Sequence, residues 1–548
     1  LQIASGNSSD LNLLSSKDIN FINSTGTTNY YMRCKENSGS DQCVELYYGN
    51  TPTKRLETTS TGINVIGQIN VNGSALSAAP EITGTASGSI SANAAVAVKS
   101  DGNLEAVTDS YNTLSPPTAS TPIEEISMTG GNPTTPYEPS WALDTTNKKL
   151  VMIWTNWNAS VTRFKTWGVD DTGTTLTALG TAQYTSEPKG PTDSYFDTNS
   201  GLTFHHGSFG SSKQWKYFTS NTEIGSGSFG SMTTVNSSRD PDNGAYTCGI
   251  TSGSDSGKFV IFCHDGNDVK AYVGSLASDG TLTKGNEFSI LSSASNVRDI
   301  AVAWDSTNNK VVFGYTYNYS GGSYAAYVKV LTISSYSMTI GSETVMVDTS
   351  TQANELDICH NPNDGKNYFI FRDGSNSGYL KGTVGVTANS GESITMKGSD
   401  TTHGTNVVKG GGGKPNSRHV RSVYNENLLK VCFWYVKTGN RIYANTVSSD
   451  SNNVFSFDAT DKDVFGFDSD VQTSYDPIMQ IWYHSPSKRI VGVGTKDSNK
   501  RNTWGSTDHG GKESNSNKFI GFADAAYTNG QTATVKVVGN TTTQSSLT

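Results

Sequence analysis

The sequence predicts an all-β protein, and three observations carry the prediction. Charged residues make up 16% of the chain and apolar residues 34%, whereas glycine is abundant, at 56 of 548 residues. This composition suits many short strands joined by turns, because Gly, Asn, Asp and Ser satisfy turn backbones locally. No stretch shows the 3.6-residue apolar spacing of an amphipathic helix. The third observation is an internal repeat long enough to organise most of the chain.

The repeat consists of an apolar strand, a turn rich in Asp, Asn, Gly, Ser and Thr, often a lysine, and a second strongly apolar strand. Its first strands lie at 141–144, 195–197, 246–250, 302–305, 356–359, 421–424 and 479–482, and its second strands at 149–154, 201–204, 258–262, 310–313, 366–371, 430–434 and 489–493. The spacing of about 50 to 65 residues accommodates four short strands, which predicts a seven-bladed β-propeller. A solenoid of stacked hairpins is the alternative.

Closure of the ring separates these two architectures. The seventh copy supplies three strands, Ile478–Tyr483, Arg489–Gly494 and Asn502–Ser506, and a spare strand, Ile123–Met128, precedes the first copy. We therefore expect 123–128 to be the outermost strand of the seventh blade, since otherwise two raw sheet edges remain. The chain would then enter and leave the ring on the side of the repeated turns, leaving the opposite face for binding.

The segments that flank the ring differ from it. Residues 57–73 alternate apolar and polar side chains with regular glycines, and such short strands cannot bury a core within one chain. They predict a shaft formed by three identical copies. The expected domains are a trimeric shaft at 1–80, the first part of a small β-module with a linker at 81–120, the propeller at 121–515 and the second part of the module at 516–548. Both chain ends are expected to be cuts through a longer protein.

Two stretches carry a resemblance to viral fibre proteins. Tyr31–Asn37, Val44–Asn50 and Leu56–Gly67 resemble the shaft repeat of tail fibres from marine phages, including cyanophages, and related aquatic viruses, although 38–43 is longer than the usual turn. Gly88–Leu104, with Phe519–Ala523, Asn529–Gln531 and Val535–Gly539, resembles a small β-module of phage fibre proteins, into which the propeller would be inserted. The resemblance implies a homotrimer on the virion surface, outside the cell, that contacts other virion proteins and binds a host receptor.

Charge and hydropathy limit the partners. The net charge is −9 and no Lys/Arg cluster is present, so nucleic acid is not an expected partner. No apolar run approaches the roughly 20 residues that a membrane-spanning helix needs, so no membrane insertion is expected. Cys34 and Cys43 flank a turn-rich segment, where they form either a disulfide across a hairpin or two half-buried thiols.

Aromatic and polar residues follow the second strand of several repeats, on the face expected to bind. Aromatic rings stack on the apolar faces of sugars, and Asn, Asp and Arg hydrogen-bond hydroxyl groups, so the pattern predicts a glycan or other surface receptor. The candidate residues are Trp154, Asn156, Trp157, Asn158, His206, Asp265, Asn267, Tyr315, Tyr317, Tyr319, Arg372 and Asp373. Of these, the two tryptophans and three tyrosines are the strongest. An ordinary loop or a buried aromatic is the alternative at each position. His205 and His206 should not form a metal pair, because neighbouring strand residues point to opposite faces.

One acidic run is a candidate for structural calcium. Asp458, Asp461 and Asp463 offer the hard oxygen ligands that calcium takes, although the run lacks the glycine and final glutamate of an EF-hand loop. A solvated acidic loop is the alternative, and no other cofactor is expected.

The function predicted from these features is attachment of a virion fibre to its host cell, without enzymatic activity. A glycan-degrading propeller is the main alternative. Hydrolysis would need two carboxylates about 5–10 Å apart, to which Asp265, Asp268 and Asp373 could contribute. A cellular extracellular adhesin or filament subunit is a further alternative with the same fold.

Overall fold

The computed structural model divides the chain into two compact units, Leu1–Ser110 with Ser514–Thr548, and Tyr111–Glu513. The described residues are 19–22, 30–35, 43–48, 53–59, 62–65, 70–71, 74–75, 81–107, 109–111, 119–122, 140–156, 161–179, 183–185, 189–210, 212–222, 228–266, 268–292, 295–319, 323–348, 352–374, 378–406, 420–437, 441–458, 461–466, 479–495, 502–509, 512–514 and 519–537. Within these ranges all regular structure is β, as predicted, and no helix has the length and apolarity to cross a bilayer.

One sheet of the first unit is an antiparallel meander of five strands. Its strands are β1 (Ile19–Ile22), β2 (Tyr30–Lys35), β3 (Cys43–Tyr48), β4 (Thr53–Thr59) and β5 (Gly62–Val65), followed by the small pair β6 (Asn70–Val71) and β7 (Ser74–Ala75). Cys34 is opposite Val44, and Cys43 is opposite Lys35. The register therefore does not set the two cysteines opposite each other.

A second sheet of this unit joins two distant segments of the chain. Its order is β10-β9-β46-β47-β8. The strands are β8 (Glu81–Thr85), β9 (Ala95–Val98), β10 (Leu104–Ala106), β46 (Phe519–Ala523) and β47 (Thr532–Lys536). Its small core packs Val96 and Leu104 against Ala523 and Val535. A separate pair consists of β11 (Asp109–Tyr111) and β45 (Lys512–Ser514).

The described part of the second unit contains seven antiparallel sheets of four or five strands. The first sheet has β13 (Ser140–Asp144), β14 (Lys149–Asn156), β15 (Val161–Val169), β16 (Leu176–Ala178) and β17 (Gln183–Thr185); the second β18 (Lys189–Asp197), β19 (Leu202–Phe209), β20 (Gln214–Asn221), β21 (Ser228–Phe229) and β22 (Thr233–Asn236); the third β23 (Gly244–Gly249), β24 (Phe259–Asp265), β25 (Asp268–Leu276), β26 (Leu282–Lys284) and β27 (Phe288–Ser292); the fourth β28 (Val297–Asp305), β29 (Lys310–Tyr319), β30 (Ser323–Ser334), β31 (Ser337–Ile340) and β32 (Thr344–Val347).

The remaining three sheets repeat the same order. The fifth has β33 (Ala353–Asn361), β34 (Lys366–Asp373), β35 (Tyr379–Thr387) and β36 (Ile394–Asn406); the sixth β37 (Val420–Asn425), β38 (Lys430–Lys437), β39 (Arg441–Ser449), β40 (Phe455–Phe457) and β41 (Lys462–Gly466); the seventh β42 (Met479–His484), β43 (Arg489–Thr495), β44 (Asn502–Thr507) and β12 (Ala119–Pro122). The first strands of successive sheets lie against one another from β13 to β42. Nearly continuous apolar runs in the second strands fit this burial on both faces.

The seventh sheet takes its outermost strand from the start of the unit. β12 pairs with β44, with Ala119 opposite Ser506 and Pro122 opposite Thr503. The strand that pairs is therefore 119–122, just before the predicted 123–128, which lies outside the described residues. The first and seventh sheets also share a hydrophobic cluster, in which Leu150 and Trp154 pack with Val491, Val493 and Trp504.

The repeated turn between the first two strands has the same backbone device in every sheet. The residue that ends this turn has a positive φ of 54° to 82° in all seven sheets: Lys148, Gly201, Gly257, Asn309, Gly365, Leu429 and Lys488. An aspartate or asparagine at the start of the turn often accepts its backbone N–H groups, as Asp144 does from Thr146 and Asn147. These turns are therefore structural, as expected.

The turns of neighbouring sheets also touch, which aligns them on one face that we call the turn face. Gly257 lies beside Asn199, Gly253 beside Asn309 and Gly365 beside Thr307. Ser506 lies at this edge too, because it is opposite Val491, near the start of β43. β12 therefore begins and β44 ends at the turn face, and the hairpins between second and third strands lie at the opposite edge of each sheet.

Candidate functional site

A cavity of about 390 Å³ lies between the third and fourth sheets, at the edge opposite the turn face. β27 of the third sheet contributes Ile290, Leu291 and Ser292, and the fourth sheet contributes the remaining lining residues. The volume falls in the range of about 300–1,000 Å³ typical of small-molecule sites. We call this cavity the tyrosine pocket because four tyrosines line it: Tyr315, Tyr317, Tyr319 and Tyr327.

The strand period brings these tyrosines together. Tyr315, Tyr317 and Tyr319 alternate along β29 and therefore share one face of the sheet. Tyr327 on β30 is directly opposite Tyr315, and the two rings stack with centroids 5.4 Å apart. The rings of Tyr317 and Tyr319 lie 4.9 Å apart at an angle of 59°. The result is a continuous aromatic wall from the interior to the surface.

Each of the four phenol groups has a hydrogen-bond partner. The Tyr315 hydroxyl donates to Glu343 Oε2, and the hydroxyls of Tyr319 and Tyr327 are bonded to each other. Asn296 Nδ2 donates to the Tyr317 hydroxyl at 3.4 Å. Tyr315 is buried at 4% exposure, whereas Tyr319 is 40% exposed, so the wall runs from a fixed base to an accessible rim.

Burial raises the pKa of Tyr315 well above its usual value, and the hydrogen bond to the Glu343 carboxylate raises it further. Burial likewise raises the pKa of Tyr327, and its bond to Tyr319 adds to the effect. Both phenols therefore stay protonated at neutral pH, and each hydroxyl oxygen keeps lone pairs that can accept a hydrogen bond. The pocket combines aromatic faces with neutral polar groups and the charged side chains of Lys329 and Glu343.

Two other predicted binding residues are buried in the interior, which corrects their expected exposure. Trp154, at 2% exposure, packs in the cluster between the first and seventh sheets. His206 is fully buried; its Nδ1 accepts from Trp215 Nε1 at 3.0 Å, and its Nε2 lies 2.8 Å from Thr247 Oγ1. Both lie where a neighbouring sheet covers the strand, so neither ring is available to a surface ligand. His205 turns the other way, toward Ser194 and Ser220, as the strand period requires.

The predicted charged residues are engaged within the protein. Arg372 and Asp373, expected in an exposed loop, are instead 9% and 1% exposed at the end of β34, and Lys381 Nζ lies 3.0 Å from Asp373 Oδ2. Burial lowers the pKa of Arg372. Asp265 lies 3.2 Å from Arg239 Nη1, and burial raises its pKa although the arginine opposes that shift. Asp265 and Asp373 are therefore paired with basic side chains of the protein.

Four candidate side chains lie outside the described part of the structure. Asn156 is the last residue of β14, but its side chain lies outside the described part, as do Trp157, Asn158 and Asn267. Their assignment to a binding site stays a prediction.

The acidic run considered for calcium is only partly described. Asp458 accepts from Thr446 Oγ1 and lies 3.4 Å from Lys430 Nζ, and Asp461 accepts from Asn445 Nδ2 at 2.8 Å. The side chain of Asp463 is outside the described residues. Within the described ranges no group of three or more His, Cys, Asp or Glu side chains is arranged to hold a metal.

Four residues at the tyrosine pocket were not predicted from the sequence. Tyr327 and Lys329 lie on β30, Glu343 precedes β32, and Asn296 precedes β28. A signal for the first two existed: Tyr327 and Lys329 are two residues apart on the strand after the Tyr-x-Tyr-x-Tyr stripe, so a hairpin register would have set them against it. No local sequence pattern indicated that Glu343 or Asn296 would lie at a binding site.

Comparison with known proteins gives fold-level likenesses only. No family model matches the chain, and no curated protein matches it. Among solved structures, the polysaccharide lyase Uly1 has 9% identity and a TM-score of 0.41, covering 69% of this chain and 91% of its own. An α-L-arabinofuranosidase from Fusarium graminearum has 11% identity and a TM-score of 0.33, covering 73% and 97%. A family 43 glycoside hydrolase from Bacillus licheniformis has 9% identity and a TM-score of 0.26, covering 72% and 99%.

These likenesses correct one expectation from the sequence. The chain was expected to lack enzymatic activity, whereas the similar structures include a polysaccharide lyase and glycoside hydrolases. The expectation of no activity is therefore withdrawn. At such low identity the likeness identifies neither a reaction nor a substrate for this chain.

Proposed function

We propose that this chain is a saccharide-binding β-propeller of seven blades, carried at the tip of a trimeric virion fibre that attaches to a host cell. The observation that carries the binding function is the tyrosine pocket. It combines a cavity of ligand size, a wall of four tyrosines and hydroxyl groups that remain protonated.

A saccharide matches the chemistry of this wall. A sugar ring has an apolar face of C–H groups and a rim of hydroxyls, so it needs a flat aromatic surface beside groups that both donate and accept. Tyr319 and Tyr317 supply accessible ring surface, and Glu343 supplies an acceptor. Tyr315 is held in place by stacking and by its bond to Glu343, so the base of the pocket is preorganised.

The propeller is supported by the order and closure of the sheets. Seven sheets follow one another with their first strands in contact, and the last takes its outer strand from residues 119–122. A closed ring leaves no raw edge between the first and last sheets, and their shared hydrophobic cluster fits that closure.

Trimerisation is supported by an apolar row across the sheet β1–β5. Met32, Leu46, Leu56 and Val65 are opposite one another in successive strands, so they share one face. Leu46 and Val65 are 38% and 37% exposed in the single chain. We propose that identical copies cover this row, because a single five-stranded sheet cannot bury its own face. The resemblance of this segment to fibre shafts supports the proposed virion location, with other virion proteins as further partners.

Binding can be tested on a glycan array with the full chain and three variants. We expect Tyr319→Ala to weaken binding about tenfold, since one exposed stacking ring contributes on the order of 1 kcal/mol. Tyr319→Phe should lose less because it keeps the ring face. Val345→Ala is the matched control, because Val345 is 56% exposed in the same sheet but does not line the pocket.

Two results of this experiment would count against the proposal. An array with no bound saccharide would refute the binding function, and equal losses in Tyr319→Ala and Val345→Ala would place binding elsewhere. Each bound polysaccharide should also be incubated with the protein and sized. Shortened chains would show that the protein cleaves what it binds.

Assembly is tested separately by measuring the molar mass in solution. We expect a trimer, and we expect Leu46→Asn combined with Val65→Asn to shift the mass toward that of one chain, because polar side chains in the row disfavour its burial. A monomeric wild-type chain would refute the trimer without affecting the saccharide site.

A further inference from the structure

The charged lining of the tyrosine pocket is asymmetric. Lys329 lies two residues after Tyr327 on β30 and directly opposite Phe313, and its side chain lines the cavity in a half-buried position. Among the described residues it has no hydrogen-bond or ion-pair partner. Its amino group is therefore available to whatever occupies the cavity.

Several other lysines of the same unit that are buried or half-buried have partners within the protein. Lys258 Nζ lies 2.7 Å from Asp255, Lys270 Nζ 3.1 Å from Asp268 and Lys381 Nζ 3.0 Å from Asp373. Lys310 donates to Thr332 at 2.6 Å. A partly desolvated ammonium is costly without a partner, and this protein supplies one in each of these cases. Lys329, by contrast, lines a cavity in which a ligand can supply the missing partner.

The other charged residue of the pocket, Glu343, already has a hydrogen-bond partner. The Glu343 carboxylate accepts the hydrogen bond of the Tyr315 hydroxyl. It therefore serves as a fixed acceptor on one side of the pocket, where it favours a ligand hydroxyl and repels an anion. The lining is thus polarised: Glu343 provides an acceptor beside Tyr315, and Lys329 on β30 provides a free cation.

We propose that the tyrosine pocket selects saccharides that carry an anionic group, and that Lys329 pairs with that group while the tyrosines stack on the ring. This inference rests on the proposed saccharide-binding function and names its ligand class. The anion is a carboxylate of an acidic sugar or a sulfate ester, since either presents oxygens to a lysine ammonium. Hydroxyls of the same ring would lie toward Glu343, so charge fixes the orientation of the ligand as well as its class.

The test uses an array of matched saccharide pairs, in which each uronate-containing oligosaccharide is paired with its methyl ester and each sulfated oligosaccharide with its desulfated form. We expect the full chain to bind the charged member of a pair at least tenfold more tightly. The preferred pair, carboxylate or sulfate, identifies the source of the anion. Lys329→Gln should reduce binding of the charged member about tenfold and leave the neutral member unchanged.

Lys488→Gln is the matched control, because Lys488 is an exposed lysine of the turn face in the seventh sheet. It removes the same charge from the unit, so a general electrostatic effect would appear in both variants. Equal binding of charged and neutral members, or no effect of Lys329→Gln, would overturn the inference while leaving saccharide binding intact. No binding of any member would instead refute the proposed function itself.

Discussion

The second and fourth sheets of the larger unit both carry aromatic side chains in the second strand of the repeat, yet expose them differently. In β19 of the second sheet, His206 is fully buried and bonded to the third sheet through Thr247. In β29 of the fourth sheet, Tyr317 is half-buried and Tyr319 is 40% exposed. The contrast separates side chains that hold neighbouring sheets together from side chains that can meet a ligand.

Strand length explains the contrast. β19 has 8 residues and β20 has 8, whereas β29 has 10 and β30 has 12. Both second strands start directly after the left-handed residue of the turn face, so the extra residues of β29 project at the opposite edge. Residues near the turn pack against the next sheet, and only an extended hairpin carries aromatic rings beyond that contact. A ligand pocket therefore arises where one sheet is longer than its neighbours.

The sharpest test of this comparison is a pair of truncations. Trp154→Ala should lower the free energy of unfolding by about 3–5 kcal/mol, because it removes a buried ring between the first and seventh sheets. Tyr319→Ala should change it by no more than about 0.5 kcal/mol, as for other exposed positions. Denaturant unfolding followed by circular dichroism measures both. Similar losses in the two variants would contradict the distinction between core and pocket aromatics.

Substitution of a buried aspartate in the turn face should destabilise the protein almost as much as Trp154→Ala. Asp305 is fully buried and accepts from the backbone N–H groups of Thr307 and Asn308 and from Asn367 Nδ2 of the fifth sheet at 2.9 Å. Asp305→Ala leaves these donors without their acceptor, so we expect a loss of about 3 kcal/mol in unfolding free energy. Asp279→Ala is the control, since Asp279 caps the exposed Thr281 N–H. A smaller loss of stability for Asp305→Ala than for Asp279→Ala would show that the contacts of the turn face do not stabilise the fold.

A third prediction concerns the spacing between sheets. A Cβ on Gly285 of the third sheet would lie 2.0 Å from the backbone oxygen of Tyr336 in the fourth sheet. Gly285→Ala should therefore cost about 2 kcal/mol, within the range of overpacked cores. Gly168→Ala should be nearly neutral, since its Cβ would meet Leu179 at an ordinary 3.7 Å. Equal thermal midpoints for the two variants would mean that the sheets can separate without cost.

The sequence predicted the repeat well because the repeat is written in local chemistry. Apolar strand pairs and Asx turns can be read from neighbouring residues, and seven such pairs recur at 141–154 through 479–493. The outer strand of the seventh sheet was expected at 123–128, but the strand observed is 119–122. A short, polar edge strand carries little periodic signal of its own, so its position depends on pairing with β44, which is not visible in the sequence.

The binding residues were predicted less well, because the neighbouring sheet determines which residues of a strand are buried. Trp154 and Tyr315 both stand six residues after the left-handed residue of their turn, and both are buried. Tyr319 stands ten residues after its own and is exposed. Aromatic identity alone did not distinguish these positions, whereas a count from the turn would have done so. Lys329 and Glu343 required the pairing of β30 and β32, which no local pattern supplies.

The smallest predicted effect is a pH dependence of stability that comes from the buried residue His206. Burial lowers the pKa of His206 from about 6.5 to about 4, and the Trp215 N–H that points at its Nδ1 leaves no room for a second proton. Between about pH 4 and about pH 6.5, the unfolded chain therefore binds a proton at this histidine and the folded chain does not. Stability contributed by the neutral ring is complete above pH 6.5 and falls as the pH drops toward 4, by about 1 to 2 kcal/mol between pH 7 and pH 5.

His206→Gln isolates this contribution, because glutamine keeps polar contacts but does not titrate. We expect the variant to be less stable than wild type at pH 7 and to lose less stability on acidification. Other groups act in the opposite sense, such as buried Asp357, whose pKa burial raises, but they are present in both proteins and cancel in the difference. Parallel pH profiles of unfolding free energy for the two proteins would show that His206 takes up a proton equally in the folded and unfolded chains, and would contradict the prediction that burial keeps its ring neutral.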